Sequence, residues 1–220
     1  MIARGSLARR RDLWLSGLAP YLPPDGDGRE IARLIGSWTR EDLVLARDHL
    51  VRNAVAGSLL TPRMVRWMLY RAVGFDIQTP NIREHCVFRS SGLSIGVGSA
   101  VGSGCLFVGV GAVSIGRSTF IGPRTMIFTS HHGNDPDGSV TAAPEPRPVL
   151  IGDDVWIGGG SVLVPGAVVE DNCVVGAGSV VAGRCEADGV YAGVPARRIA
   201  ERQQKANVGL RMVSDVAGST

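Results

Sequence analysis

Two adjacent histidines, His131 and His132, begin a segment that is rich in glycine, aspartate and proline. An imidazole with an ordinary pKa near ~6.5 can accept a proton close to neutral pH and pass it on, so either side chain could be a general base. The alternative role is structural, with a ring that hydrogen-bonds the backbone of its own loop. Residue type alone leaves both roles open.

Arginines cluster near the two ends, at Arg9-Arg10-Arg11 and Arg197-Arg198. Guanidinium groups bind phosphates, although such runs are also typical of solvated surface. The net charge is only +3, which does not call for nucleic acid or an acidic membrane as partner. No run approaches the ~18 apolar residues of a membrane span, and no convincing signal peptide is present. We therefore expect a cytoplasmic chain.

The four cysteines do not form the closely spaced pairs that bind zinc. A free thiol inside a packed repeat behaves as a small hydrophobic group. The sequence therefore predicts buried packing positions rather than a metal site, at Cys86, Cys105, Cys173 and Cys185.

A branched or long apolar residue recurs at every sixth position over much of the chain. Helices repeat at three or four residues and half-buried strands at two, so a period of six with small residues between indicates stacked coils. Neighbouring coils share one continuous core, which is why many repeats occur together. The period comprises Ile95, Val101 and Phe107, then Ile115, Ile121 and Ile127, then Ile151, Ile157, Leu163, Val169, Val175 and Val181.

A different pattern precedes the repeat. Residues 1 to 30 read as a loose arm, and Thr39 with Asp42 resembles a capping box at the start of a helix. A second helix is predicted from Thr61 as N-cap, through Pro62 in the first turn, to Gly74. Its apolar side, including Trp67 and the methionines, is expected to pack against the first coil.

The period stops after Ile127 and resumes at Ile151. An insertion of this length without internal repeat must leave the coil as a loop, and loops of this kind commonly carry function. The two histidines stand at the base of this loop, which favours a functional role for at least one of them.

Residues 92 to 200 resemble the hexapeptide-repeat acyltransferases of the galactoside and maltose O-acetyltransferase type. The specific part is an ordered combination of motifs: TMIFTSHH before the loop, IGDDVWIGG after it, then GAGSVV and AGVPARRI. The resemblance implies a mainly β fold, a left-handed parallel β-helix of hexapeptide repeats. We expect an N-terminal arm and two-helix region over 1–74, the β-helix over 75–196 with a loop at 128–149, and a short C-terminal helix and tail over 197–220.

The same resemblance implies a homotrimer that binds acyl-CoA in the groove between neighbouring β-helices. By alignment the family's catalytic histidine falls on His131, with His132 as the alternative if the register differs by one. The expected reaction is direct transfer of an acetyl group from acetyl-CoA to a hydroxyl of a sugar, an envelope precursor or a specialised metabolite, without a metal. Positioning of both substrates would supply much of the rate.

The remaining site residues also follow from the resemblance. Trp156 matches the tryptophan that walls the active site, and Arg197 matches a basic residue that meets the nucleotide phosphates, with Arg184 and Arg198 nearby. Segments that line the pantetheine channel in relatives match Gly159, Gly160, Ala177 and Gly178. Ordinary repeat corners would also account for these four small residues.

One segment departs from the family. Sugar acetyltransferases carry asparagine and aspartate in the stretch that corresponds to residues 101–110, where this chain reads VGSGCLFVGV. The acceptor contacts of those enzymes are therefore missing, and a galactoside or maltose acceptor is not expected.

Two other functions are compatible with a hexapeptide repeat. A non-catalytic trimeric β-helix could act as a binding or scaffold module, because a fold does not determine a function. A zinc hydratase would need three imidazoles around one metal. The chain offers only four histidines, His49, His85, His131 and His132, and two of them are adjacent.

Overall fold

The six-residue period builds the coils of a solenoid. The computed structural model describes residues 28–90, 92–134, 138–141 and 143–202. All twelve apolar residues of the period are buried in it, each at most 3% exposed. The small and polar residues between them turn the chain at successive corners. The predicted parallel β-helix is confirmed.

The strands are short. In chain order they are β1 (Asp76–Ile77), β2 (Val87–Arg89), β3 (Gly92–Ile95), β4 (Ala100–Val101), β5 (Leu106–Val108), β6 (Ala112–Ile115), β7 (Phe120–Ile121), β8 (Met126–Phe128), β9 (Ser130–His131), β10 (Glu145–Pro146), β11 (Val149–Ile151), β12 (Trp156–Ile157), β13 (Val162–Leu163), β14 (Val168–Val169), β15 (Val174–Val175), β16 (Val180–Val181), β17 (Arg184–Cys185), β18 (Gly189–Ala192) and β19 (Arg197–Glu201). Except for β9 and β10, they form three sheets.

The three sheets are the faces of the solenoid. Face 1 contains β1, β3, β6, β11, β14 and β17; face 2 contains β4, β7, β12, β15, β18 and β19; face 3 contains β2, β5, β8, β13 and β16. The chain visits face 1, face 2 and face 3 in turn. Apart from β19, the strands stack parallel and in register, so that Ile95, Ile115, Ile151 and Val169 form one inward column on face 1. Adjacent coils lie about 4.8 Å apart, as in any β-sheet.

Buried hydroxyls line the corners, a feature that the apolar period did not predict. Ser99 donates to the Gly116 carbonyl at 2.7 Å, and Thr119 donates to the Gly152 carbonyl at 2.8 Å. Ser161 donates to the Gly158 carbonyl at 2.7 Å. A buried carbonyl at a tight corner needs a donor, and these short side chains supply it from inside the coil.

The inward column predicts a large loss of stability when one of its members is truncated. Ile157 is fully buried between Ile121 and Val175, so Ile157→Ala is expected to lower the free energy of unfolding by about 2–5 kcal/mol. Urea denaturation followed by circular dichroism measures the change. Ile199→Ala is the matched control, because Ile199 is 66% exposed and its truncation should change the free energy of unfolding by less than about 1 kcal/mol.

Three helical segments precede the solenoid: α1 (Gly28–His49), a π-helical segment (Leu50–Val55) and α2 (Arg63–Ala72). The chain divides into two compact units, Met1–Arg47 and Asp48–Thr220, so α1 lies mainly in the first unit and α2 in the second. Among the described helices none combines the length and the apolar composition needed to cross a bilayer. Most of the arm predicted over residues 1–30 lies outside the described residues.

Both predicted helix caps are wrong. The first helix already begins at Gly28, so Thr39 lies inside it, where its hydroxyl donates to the Ile35 carbonyl at 2.8 Å. The second helix has Pro62 at its N-cap position without a side-chain hydrogen bond, because the Thr61 hydroxyl donates to the Val55 carbonyl at 2.6 Å. The helix ends as predicted, just before Gly74, whose φ is 92°.

Only part of the predicted apolar side of α2 packs on the first coil. Trp67 is partly buried, and its indole N–H donates to the Ile77 carbonyl at 2.8 Å. The prediction is wrong for Met64 and Met68, which are 55% and 61% exposed. The inward position between them is taken by Arg66, a residue that hydrophobic spacing alone would place outside.

The predicted C-terminal helix is wrong over Arg197–Glu201, which forms β19. This strand pairs antiparallel with β18 and gives the outer edge of β18 a hydrogen-bonding partner. An unpaired edge at this position would leave backbone groups without partners, which explains why pairing prevails over helix formation. The rest of the predicted helix and tail lies outside the described residues.

Candidate active site

A short hairpin at the base of the loop positions the histidines. The chain departs from the solenoid after β8 on face 3 and returns at β11 on face 1. Between these points β9 pairs antiparallel with β10, and this pairing places His131 opposite Glu145. The Arg147 N–H donates to the Thr129 carbonyl at 2.8 Å and closes the base. Both histidines are exposed at the corner between face 3 and face 1.

His132 has a fixed ring. Its Nδ1 lies 2.9 Å from the Thr141 carbonyl oxygen on the other arm of the loop. A carbonyl only accepts hydrogen bonds, so Nδ1 must carry the proton, and in the neutral ring the lone pair then lies on Nε2. This arrangement holds an imidazole in one tautomer with its other nitrogen ready to accept a proton.

His131 has a different environment. Directly opposed residues of an antiparallel pair lie on the same side of the ribbon, so Glu145 is its nearest cross-strand neighbour. The Glu145 carboxylate lies 3.9 Å from the Arg147 guanidinium, and both side chains are more than half exposed. Successive residues along an extended chain point to opposite sides, so His131 and His132 do not present the same face to a substrate.

Trp156 lies on face 2, away from the histidines of the same chain. It stacks in register between Phe120 and Val174 and points outward, 55% exposed. Face 2 is opposite the corner where the loop leaves, so the structure does not bring Trp156 and His132 together within one chain. Any contact between them would require two copies.

Phe120 is a candidate that the sequence analysis missed. It is 52% exposed and lies beside Trp156 on the next coil, so two large aromatic side chains share the outer surface of face 2. The signal was present in the sequence: each aromatic residue directly precedes a buried residue of the six-residue period, Ile121 or Ile157, and must therefore point outward.

The four small residues of the expected pantetheine channel form one continuous strip. They lie at the corner between face 2 and face 3, where the Gly178 N–H donates to the Gly159 carbonyl at 3.0 Å. Gly160 and Gly178 both have φ of 70°, and no atom of the chain lies within 4 Å of the position that a side chain would begin to occupy. The strip is therefore open at Gly160 and Gly178, whereas Gly159 lies against Pro123.

The three candidate arginines differ in their partners. Arg184 forms an ion pair with Glu170, whose pKa is lowered by the Ala187 backbone N–H and by this guanidinium. Arg198 forms an ion pair with Glu201 and lies over the Tyr191 ring, 5.9 Å from its centroid.

Arg197 is exposed, and its guanidinium donates a hydrogen bond to the carbonyl of Ala196 at 3.1 Å. Of the three arginines it is the one whose charge is not matched by a carboxylate within the described part of the chain. Its guanidinium is therefore the most available to an anionic ligand.

All four cysteines are buried, as expected for packing residues. Burial raises the pKa of Cys185 to about 11, which keeps this thiol protonated at neutral pH. Across the described ranges, no three His, Cys, Asp or Glu side chains come together in a way that could hold a metal ion.

The comparisons with known proteins agree with this architecture. Residues 148–183 match the model of the bacterial transferase hexapeptide family, described as six repeats. Nodulation protein L of Rhizobium meliloti is 40% identical over 129 residues, which are 57% of this chain and 68% of that protein. The chain spans between 43% and 50% of the length of three further curated relatives that it matches.

Solved structures extend the match over the solenoid. A maltose O-acetyltransferase from Clostridium difficile superposes with a TM-score of 0.57 at 28% identity, covering 68% of this chain and 81% of that one. A hexapeptide-repeat acetyltransferase from Vibrio cholerae, solved with acetyl-coenzyme A, gives 0.58 at 26% identity, covering 72% and 85%. With its stacked hexapeptide coils, its interrupting loop and these relatives, the chain belongs to the hexapeptide-repeat family of acyltransferases.

Proposed function

We propose that the protein transfers an acetyl group from acetyl-CoA to a hydroxyl group of a small acceptor, with the histidine pair as the source of the general base. The observation that carries this proposal is the hydrogen bond from His132 Nδ1 to the Thr141 carbonyl. It leaves Nε2 as a proton acceptor at the edge of the loop. The alignment favours His131 for this role, whereas the ring geometry favours His132.

The chemistry requires one base and no covalent acyl-enzyme intermediate. The acceptor O–H gives its proton to Nε2 while its oxygen attacks the thioester carbonyl. The tetrahedral intermediate then collapses with cleavage of the C–S bond, and the proton passes from the imidazolium to the departing thiolate. The products are the acetyl ester and free CoA, and the histidine returns to its neutral form.

The strip at Gly159, Gly160, Ala177 and Gly178 supports a binding path for the pantetheine arm. Corners with no side chain, or with only a methyl group, let a flexible chain lie against the backbone. Arg197 lies beyond the last of these corners, where the nucleotide phosphates of an extended CoA would reach. A guanidinium is well suited to phosphate.

The arginines give a specific expectation. Arg197→Ala should raise the KM for acetyl-CoA about tenfold with little change in kcat, because the lost contact binds the ground state and transition state alike. Arg184→Ala should raise this KM less, because Glu170 already neutralises that guanidinium. Steady-state kinetics with acetyl-CoA as the varied substrate measures the KM of each variant and so distinguishes the two arginines. Equal effects would contradict the assignment of Arg197.

We also propose that the protein is a homotrimer. The outward columns of face 2 and face 3 are apolar on every coil, whereas the outward column of face 1 includes serines and charged residues. An apolar column of this kind fits the core of a subunit interface. The residues of the face 3 column are Val87, Leu106, Met126, Val162 and Val180.

The acceptor is proposed to be a sugar, an envelope precursor or a specialised metabolite. We also propose that the protein acts in the cytoplasm, where acetyl-CoA is made and used. The test is release of CoA, followed with a thiol reagent, when the purified protein is given acetyl-CoA and a panel of hydroxylated acceptors. Acceptor-dependent release with an ester product supports the proposal. Binding of CoA without turnover on any acceptor would favour the non-catalytic scaffold instead.

A further inference from the structure

A concentrated apolar surface lies at the N-terminal end of the solenoid. We call it the cap surface; it consists of Leu59, Leu60, Met64, Val65 and Met68. Leu60 is 89% exposed and Leu59 is 68% exposed, and the other three side chains are between 46% and 61% exposed. Scattered single apolar residues on a surface are ordinary, but five large ones within ten positions mark a site of contact.

The three helical members of the cap surface lie on the outer side of α2. Met64 and Met68 are four residues apart on α2 and therefore lie on the same side of the helix, with Val65 beside them. The opposite side of α2 carries Arg66 and Tyr70, which are buried against the solenoid. The two leucines stand in the turn that leads into this helix.

The turn that presents the leucines is held rigidly. The Arg66 guanidinium donates to four carbonyls, those of Ala56, Ser58, Thr61 and Ile82, at 2.7–3.0 Å. Three of these acceptors lie in the turn before α2 and the fourth lies on the first coil. Arg66 is 3% exposed, so its buried charge depends on these four hydrogen bonds, which in turn hold the turn in place. The exposed leucines thus belong to a preformed surface.

Within the segment that carries the cap surface the charges have a single sign, and the exposed Asp76 follows this segment on β1. Residues 49–75 contain four arginines and no aspartate or glutamate. Arg63 and Arg71 are exposed at the two ends of α2, and the Arg71 guanidinium lies over the Trp67 ring, 5.2 Å from its centroid. Apolar side chains flanked by arginines match a surface that offers both hydrocarbon and negative charge.

A second copy of the chain fits this surface less well. A two-fold contact would place the same patch against itself and bring Arg63 and Arg71 of both copies close together, with no carboxylate from this segment between them. An anionic lipid bilayer has no such conflict. Its headgroups pair with the guanidinium groups, while the leucines and methionines enter the boundary between headgroups and acyl chains.

We propose that the cap surface is a peripheral membrane-binding site for anionic lipid bilayers. Leu59 and Leu60 insert, and Arg63 and Arg71 pair with the headgroups. The solenoid would then extend away from the bilayer from its N-terminal end. This inference stands apart from the acyl-transfer reaction, because it concerns residues of the turn and α2 and is measured without turnover.

The experiment is flotation of the purified full-length protein with vesicles of phosphatidylglycerol and phosphatidylcholine, compared with phosphatidylcholine alone. Binding is expected to the anionic vesicles and to fall steeply as salt is raised. The double variant Leu59→Ser/Leu60→Ser should lower the bound fraction at limiting lipid about tenfold or more, and Arg63→Gln or Arg71→Gln about fivefold each. Ile199→Ser, at an apolar position 66% exposed on β19 at the opposite end of the solenoid, is the matched control and should bind like the wild type.

Absence of wild-type binding to the anionic vesicles would overturn the proposal, as would undiminished binding of the leucine variant. A mass in solution that decreases on Leu59→Ser/Leu60→Ser, measured by light scattering, would assign the surface to a second copy instead and overturn it as well. Circular dichroism of each variant keeps loss of folding separate from loss of binding, and Arg66 is left unchanged throughout.

Discussion

His132→Ala is expected to lower kcat by about 10²–10⁴-fold while changing the KM for acetyl-CoA by less than about threefold. Nε2 of His132 is proposed to take the proton of the attacking hydroxyl, and without it the alcohol must attack in a poorly nucleophilic form. The ring is exposed and, among the described residues, bonds to the Thr141 carbonyl in the loop, so its removal should leave the solenoid folded. Single-turnover transfer from radiolabelled acetyl-CoA measures the effect.

The neighbouring histidine provides the matched control. His131→Ala removes a ring of the same size from the same hairpin, so a general disturbance of the loop would affect both variants equally. We expect His131→Ala to retain at least about one tenth of the wild-type kcat, because its ring lies on the other side of the chain. The reverse result, with His131→Ala inactive and His132→Ala active, would assign the base to His131, the residue that the family resemblance implies.

The architecture was predictable because it depends on a local period. One inward apolar residue in every six fixes which side of each strand is buried, and all twelve such residues are buried in the structure. The wrong predictions concern features that depend on distant partners. Thr61 resembles a helix cap by its neighbours, but the Val55 carbonyl takes its hydroxyl. Arg197–Glu201 has no strand pattern of its own and forms β19 because β18 offers a partner.

The candidate site was predictable only in part, for the same reason. The break in the period pointed to the loop and its two histidines, since a long insertion cannot remain in the coil. The choice between the rings depends on Thr141, nine residues further along a loop without repeat, and no sequence pattern indicates that contact. The separation of Trp156 from the histidines follows from the order of the three faces around the solenoid. This order depends on how each coil folds back on itself, which no local sequence pattern indicates.

That separation predicts activity from mixed trimers built of two defective chains. Each active site is proposed to combine the His132 corner of one copy with Trp156 of a neighbour. Trp156→Ala alone should lower kcat/KM about tenfold or more, because it removes a large aromatic wall of the site. Co-expression of His132→Ala and Trp156→Ala chains with two different tags, followed by purification on both tags, isolates trimers that contain both kinds of chain.

In any such mixed trimer one site of the three receives its histidine from a Trp156→Ala chain and its tryptophan from a His132→Ala chain. The expected activity is therefore about one third of the wild-type value, well above that of either homotrimer. If both residues served the site of their own chain, every site in the mixed trimer would lack one of them, and no activity would return. A mixed trimer no more active than the mean of the two parents would thus contradict the shared site, even if His132 proves to be the base.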